Sequence, residues 1–379
     1  MLHRIIVKNV GSIEVANIDF KKNSYKFLED NLIGDIVNPI AIYGHNGSGK
    51  SSFFRAIKTL ILLMTEPLDN LYPFIVNDFL FQEFVKNPDE KYIDKIIGSI
   101  ELQFELDGIN YVYFISTSTR GVISEEYLKY NNNIIFKREN SSVLIEKKNV
   151  NIENSYQLLP YLRVLASEKV VAKNIQNAFS YISSLVFVDL PNMAAGGFVT
   201  SKHFRNMQTY DLMALKSEEI KDILRSYDEF PIYSVVKNDD NSNIIGNNQT
   251  KYSIIFEGME DKKISVNFMS DGMMSQSVLL GIVLSVPNNS VLFIDELERA
   301  LHPSAIESFL KVVKNKKIQL VFSSHNTSIL QVMRPDQVYF AKWNKGFSNM
   351  FRLSKIYPAI REVNNIEKMY LSGLFKIEG

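Results

Sequence analysis

The segment Gly44-His-Asn-Gly-Ser-Gly-Lys50-Ser51 constrains the fold more than any other part of the chain. Its glycines let the backbone curl until successive N–H groups point at one spot, and the lysine adds a cation there. Such a loop holds a polyanion only if a buried strand delivers it and a helix starts at its end, because the first-turn amides complete the positive cradle. Both flanks fit. Pro39-Ile40-Ala41-Ile42-Tyr43 is a short apolar run suited to burial on both faces of a sheet, and Phe54, Ile57, Ile61 and Met64 recur at helical spacing up to a stop near Pro67. The pattern predicts a phosphate-binding loop in an α/β chain: Lys50 reaches the β- and γ-phosphates of a bound nucleotide, Ser51 coordinates Mg²⁺, and Asn46, Gly47, Ser48, Gly49 and Ser52 line the phosphates. An ordinary glycine-rich turn is the alternative, and both flanks argue against it.

Three later motifs bear on the same chemistry. Val291-Leu-Phe-Ile-Asp295-Glu296 is an apolar strand ending in two carboxylates; Asp295 suits a Mg²⁺ contact through water, and Glu296 can polarise an attacking water. Met269-Ser270-Asp271-Gly272 opens a helix, where Ser270 and Gly272 offer a hydroxyl, free amides and a helix dipole to an anion, or simply an N-cap. Ser323-Ser324-His325-Asn326 ends another buried strand, so His325 can hydrogen-bond a γ-phosphate or the attacking water, or merely terminate the strand. As a metal ligand it lacks partner spacing, as do His3, His45, His203 and His302.

Between these motifs the period changes. Residues up to Phe20 read as two strands broken at Val10-Gly11-Ser12, and residues 21 to 38 as polar and irregular. Residues 96–147 alternate on either side of an Asp107-Gly108 turn and predict an antiparallel β lobe, with a further strand pair around the Asn131 to Asn133 turn. Residues 148–250 read as a helical insertion closed by the polar loop Asn238 to Thr250. Residues 1–66 and 251–379 form the core, with strands at Tyr252 to Phe256, Lys263 to Phe268, Val291 to Ile294 and Ile318 to Ser323, and helices at Met273 to Val286 and Pro303 to Val313.

Composition narrows the class. Forty-two basic residues balance 42 acidic ones, which argues against a protein built to wrap duplex DNA or coat an anionic membrane. No cysteine is present, so disulfides, cysteine-held zinc and thiol nucleophiles are excluded, in keeping with a cytoplasmic protein. The longest apolar runs are far short of the ~20 residues that cross a bilayer, and the N-terminus alternates like a strand rather than a signal peptide.

The order of phosphate loop, Ser-x-Gly, Asp-Glu and His resembles the ATP-binding-cassette (ABC) class of P-loop ATPases, which includes SMC and RecF proteins. Within it the chain is similar to prokaryotic AAA family ATPases related to the OLD proteins and to abortive-infection ATPases encoded beside a separate effector. Phe293-Ile-Asp-Glu-Leu-Glu298, Leu301-His-Pro303 and Gln319 to Asn326 carry the likeness. It implies a mixed sheet with an antiparallel β lobe, ATP and Mg²⁺ as ligands, and a head-to-tail dimer in which Ser270 and Gly272 of one copy contact the γ-phosphate held by Lys50 of the other. Asp271 and Met273 depart from the transporter signature Leu-Ser-Gly-Gly-Gln and argue against a transporter. The glutamine that usually contacts Mg²⁺ has no assigned position; Gln82, Gln176 and Gln208 are candidates. OLD proteins carry a Toprim nuclease, for which the residues after His325 are too few, so a nuclease effector is expected on another chain.

The expected function is therefore an ATP-hydrolysing, homodimerising switch of an anti-phage system. A RecF-like DNA repair or chromosome-maintenance ATPase is the alternative, with direct nucleic-acid contact resting on local runs such as Lys311 to Lys317. A scaffold in which ATP only sets assembly has no need of the Asp295-Glu296 pair.

Overall fold

The computed structural model describes residues 1–67, 98–118, 122–145, 148–152, 159–168, 172–190, 199–201, 204, 209–226, 231–238, 244–245, 251–299, 301 and 303–375. Its organising element is one 15-stranded mixed sheet. In chain order the strands are β1 (Leu2–Val10), β2 (Ile13–Asp19), β3 (Ile40–Tyr43), β4 (Gly98–Leu106), β5 (Ile109–Thr117), β6 (Ile123–Tyr130), β7 (Asn133–Glu139), β8 (Ser142–Ile145), β9 (Lys148–Asn151), β10 (Val186–Asp189), β11 (Val199–Thr200), β12 (Val291–Asp295), β13 (Gln319–Ser323), β14 (Val338–Asn344) and β15 (Phe347–Arg352). Across the sheet they run β9-β8-β7-β6-β5-β4-β1-β2-β15-β14-β3-β13-β12-β10-β11.

The two halves follow different rules. From β9 to β1 every pair is antiparallel, and β4 alternates buried and half-buried residues from Gly98 to Glu105, as a sheet with one covered face requires. From β14 to β10 every pair is parallel, and β3, β12 and β13 are buried at every position. Those are the short continuous apolar runs Ile40–Tyr43, Val291–Asp295 and Gln319–Ser323, which need cover on both faces. Neighbouring residues of these strands accordingly join different cores. Ile40, Ile42, Val291, Phe293 and Val321 face helix α1 (Lys50–Thr65) and the β lobe, whereas Ala41, Tyr43, Leu292, Ile294, Leu320 and Phe322 face helix α2 (Asp271–Ser285).

Most predicted elements form close to their expected limits, and the departures have local causes. Lys263 to Phe268 is a strand only to Ser265, whose hydroxyl accepts from the Asn267 amide and turns Val266–Phe268 into a 3-10 turn. The irregular segment 21 to 38 contains a small ladder, Leu32–Ile33 against Ile36–Val37, turning at Gly34 with φ 64°. In the stretch read as helical, helices at Tyr161–Ala166, Lys173–Ser183, Thr209–Leu215 and Ser217–Leu224 do form, but β10 inserts into the main sheet parallel to β12. Val186-Phe-Val is too short for its period to be told from helix, and only its place beside β12 decides. Within the polar loop from Asn238 to Thr250, Ile244–Ile245 pairs with Lys263 and Ile264. No helix among the described residues is long and apolar enough to cross a membrane.

Candidate functional site

Strand β3 ends at Tyr43, and the loop after it curls through positive φ at Gly47 (77°) and Gly49 (93°) before α1 begins. A Cβ at Gly49 would lie 2.5 Å from the Ser348 hydroxyl and one at Gly44 2.5 Å from the Ala341 carbonyl, so both positions require glycine for space as well as for φ. The first intrahelical amide bond of α1 runs from Phe53 to Gly49, which leaves the Lys50, Ser51 and Ser52 amides at the helix mouth. They open into a cavity of about 520 Å³ lined by Asn46, Gly47, Ser48, Gly49, Lys50, Ser51, Ser52, Glu296 and His325, all expected from sequence. Gly11, Ser12, Arg55 and Trp343 complete the lining and were not expected.

Lys50 is buried, and its ammonium donates to the carbonyls of Gly44 (2.8 Å) and His45 (3.1 Å). Burial holds its pKa below the ordinary lysine value, against the pull of Asp295, Glu296 and Glu298. The Ser48 hydroxyl is buried without a hydrogen-bond partner, the usual mark of a group that waits for one.

Asp295 sits at the end of β12, 7% exposed. Its carboxylate accepts from Ser323 at 2.5 Å and from the Ser51 hydroxyl, yet burial still raises its pKa above the ordinary carboxylate range. Ser323, at the end of β13, also accepts the Glu296 amide at 2.8 Å, which ties together the ends of the two strands. Glu296 has φ 56°, a left-handed backbone seldom adopted by a non-glycine residue, and its carboxylate pairs with Arg299. Beside them the His325 amide donates to Glu298 at 2.9 Å, and the His325 side chain is exposed at the cavity. Asp189, opposite Asp295 in the β10 to β12 register, pairs with Lys58 of α1 at 3.2 Å and adds to the upward shift of Asp295.

Ser270 and Gly272 are not at this cavity. Ser270 caps α2 by accepting the Met273 amide at 3.3 Å, and Ser270, Asp271 and Gly272 are all exposed beside the exposed Phe268. Of the glutamine candidates, Gln176 is exposed on the Lys173–Ser183 helix and does not line the cavity, whereas Gln82 and Gln208 lie outside the described residues. His203 and His302 also lie outside them, and no metal-holding cluster of His, Asp or Glu forms among the described residues.

Sequence could have pointed to three of the missed residues, Gly11, Ser12 and Arg55. The break at Gly11-Ser12 is a turn between strands, and Ser12 and Ser52 meet across it at 3.1 Å. Arg55 lies on the helix that the loop starts. Trp343 carries no signal, since only strand order brings it to the loop.

The family model described as "AAA domain, putative AbiEii toxin, Type IV TA system" matches residues 40–331, from the strand before the phosphate loop to just beyond His325. Among solved structures, an SMC head bound to the C-winged helix domain of ScpA is similar with a TM-score of 0.52 at 13% identity, covering 94% of this chain and 99% of that one. The SMC head domain from Thermotoga maritima gives 0.46 at 13% identity, covering 93% and 98%. The recombination mediator RecF with ATP gives 0.37 at 11% identity, covering 93% and 99%. No curated protein matches the chain by sequence. The likeness to the SMC head bears on fold alone, and that fold is the mixed α/β architecture of ABC-type P-loop ATPases. With the family model spanning most of its length, the chain belongs to this AAA-domain family.

Proposed function

We propose that the chain is an ATP-hydrolysing switch that homodimerises around nucleotide and serves a prokaryotic anti-phage, abortive-infection system with a separately encoded effector, a nuclease. One observation carries the reading: Lys50, Ser51, Glu296 and His325 meet at one cavity with Asp295 behind them, while Ser270 and Gly272 stand exposed away from it. An anion-binding helix start facing solvent suits a nucleotide held by a second copy. ATP then favours the closed dimer because Ser270 and Gly272 touch the γ-phosphate only in that state. The family's description as a toxin of a type IV TA system supports a chain that works with a second gene product.

The residues fit the ligands. The glycine cradle and the unpartnered Ser48 hydroxyl suit phosphate oxygens, and the Ser51 and Asp295 oxygens suit Mg²⁺. Mg²⁺, when bound, neutralises charge on the phosphates. Lys50 exchanges its two carbonyl partners for phosphate oxygens. Glu296 leaves Arg299 to orient water and take its proton, and His325 donates to the γ-phosphate. The Lys311 to Lys317 run lends the DNA-repair alternative little support, since Lys314 pairs with Asp30 and Lys316 donates to the Leu284 carbonyl.

The test is phosphate release from Mg-ATP together with particle mass by light scattering. Wild type is expected to turn over slowly, Lys50→Ala to stay monomeric, and Glu296→Gln to accumulate as an ATP-bound dimer. A wild type without turnover, with both variants retaining protection against phage in cells, would refute the reading. A salt-dependent affinity for duplex DNA would favour the alternative.

A further inference from the structure

We propose that Asp271 of one copy pairs with Arg55 of a second copy across the nucleotide; the pair rests on the dimer reading above and names the contact that sets its register. An unmatched charge points there. Ser270 and Gly272 are read as touching a γ-phosphate, yet the residue between them is an acid, exposed like both its neighbours. Within its own copy Asp271 suits the start of α2, because a carboxylate in the first turn meets the positive end of the helix dipole. Brought against a polyanion, the same carboxylate is repelled unless a cation accompanies it. Asp271 has no ion pair or side-chain hydrogen bond among the described residues, so its own copy supplies no such cation.

The phosphate cavity of a second copy does. Among the described residues its lining has two permanent cations, Lys50 and Arg55. Lys50 is buried and bonded to its own loop, whereas Arg55 is exposed and makes neither an ion pair nor a side-chain hydrogen bond with any described residue. Arg55 follows Ser51 by four residues and Ser52 by three, so it stands on their face of α1, one turn along from the helix mouth. A second copy that lays Ser270 and Gly272 on the γ-phosphate brings Asp271 to the cavity that Arg55 lines, and the two unpaired charges have opposite sign. Phe268, 66% exposed just before the Ser270 cap, gives the same patch an apolar group to bury. The occupant of the patch is therefore another copy of this chain, which carries the matching cation at the mouth of its own site.

Two-fold symmetry makes the pair occur twice and allows a test by exchange of charge. The parent is Glu296→Gln, which is expected to hold the ATP-bound dimer. In that background Asp271→Arg sets arginine against arginine and Arg55→Asp sets aspartate against aspartate. Each variant alone should dimerise about 100-fold more weakly by light scattering, at Mg-ATP concentrations that calorimetry verifies as saturating. An equal mixture of the two places opposite charges together at both sites and should regain the mass of a dimer. The chain has no cysteine, so Asp271→Cys and Arg55→Cys proteins, differently tagged and mixed, offer one thiol each. A short bis-maleimide should join them with Mg-ATP and not without nucleotide. Charge variants that dimerise like their parent, a mixture no better than its components, or thiols that do not join in an ATP-loaded dimer overturn the pair. A parent that stays monomeric in saturating Mg-ATP refutes the dimer reading itself, and the pair with it.

Discussion

Two of the clusters that bury charge among the described residues treat it in opposite ways. In the β lobe Glu126 and Arg138 are fully buried, and nearly every valence of the carboxylate is taken: it accepts from the Tyr161 amide (2.6 Å), the Leu162 amide (3.0 Å) and the Tyr113 hydroxyl (2.9 Å), with Arg138 at 3.9 Å. Arg138 donates to the carbonyls of Asn140 and Leu159. At the phosphate loop, by contrast, Lys50 leans on its own loop, Ser48 has no partner, and Asp295 is pushed up by burial. A charge cluster whose partners are all internal holds the chain together, whereas one left short of partners is poised for a ligand.

The lobe cluster also reaches the site mechanically. Glu126 caps the helix Tyr161–Ala166, and Arg163 of that helix donates to the Leu63 and Glu66 carbonyls at the far end of α1. The helix that begins at the loop is therefore gripped at its other end by the β lobe.

This contrast can be broken experimentally. The largest expected effect is on turnover: Glu296→Gln should lower the rate of ATP hydrolysis about 10²–10⁴-fold, the usual contribution of a general base, in a phosphate-release assay. Next comes stability. Glu126→Ala strands Arg138 and two amides in the lobe interior and should cost about 3–5 kcal/mol in urea unfolding without a ligand being involved. A smaller and opposite effect belongs to the ligand: Mg-ATP at about 100 times its Kd should stabilise wild type by about 2.7 kcal/mol in thermal unfolding, and Lys50→Ala should abolish that shift.

The smallest effect is the sharpest. The folded state holds the Asp295 proton more tightly than the unfolded chain does, so ionisation of Asp295 costs stability as pH rises through and above the carboxylate range. Asp295→Asn removes that cost. The variant should melt slightly higher than wild type at neutral pH, match it in acid where both are uncharged, and lose Mg-ATP turnover. A variant that melts lower at neutral pH would place Asp295 with Glu126 as a structural charge.

The loop, the acidic strand end and the histidine were legible because each is a local pattern: glycines at required φ, an apolar run of strand length, polar residues at its end. The wall that faces them was not. Trp343 and Ser348 sit on a late hairpin that pairs parallel to β3 through β14, and Asp189 ends a strand embedded in helical sequence. Long-range strand order leaves no periodic trace in any of those segments.

By itself, then, the sequence determined one half of the candidate site: a glycine-rich cradle from Gly44 to Ser51, carboxylates at Asp295 and Glu296, His325, and the buried strands that carry them. Backbone curvature, burial and helix start are properties of neighbouring residues, so they can be read along the chain. Tertiary structure alone decided that Trp343 faces the same cavity, that Ser270 faces away from it, and that the β lobe reaches α1 through Arg163. Those relations depend on which strands and helices become neighbours across hundreds of residues, which the burial of both sheet faces settles only once the whole core is packed.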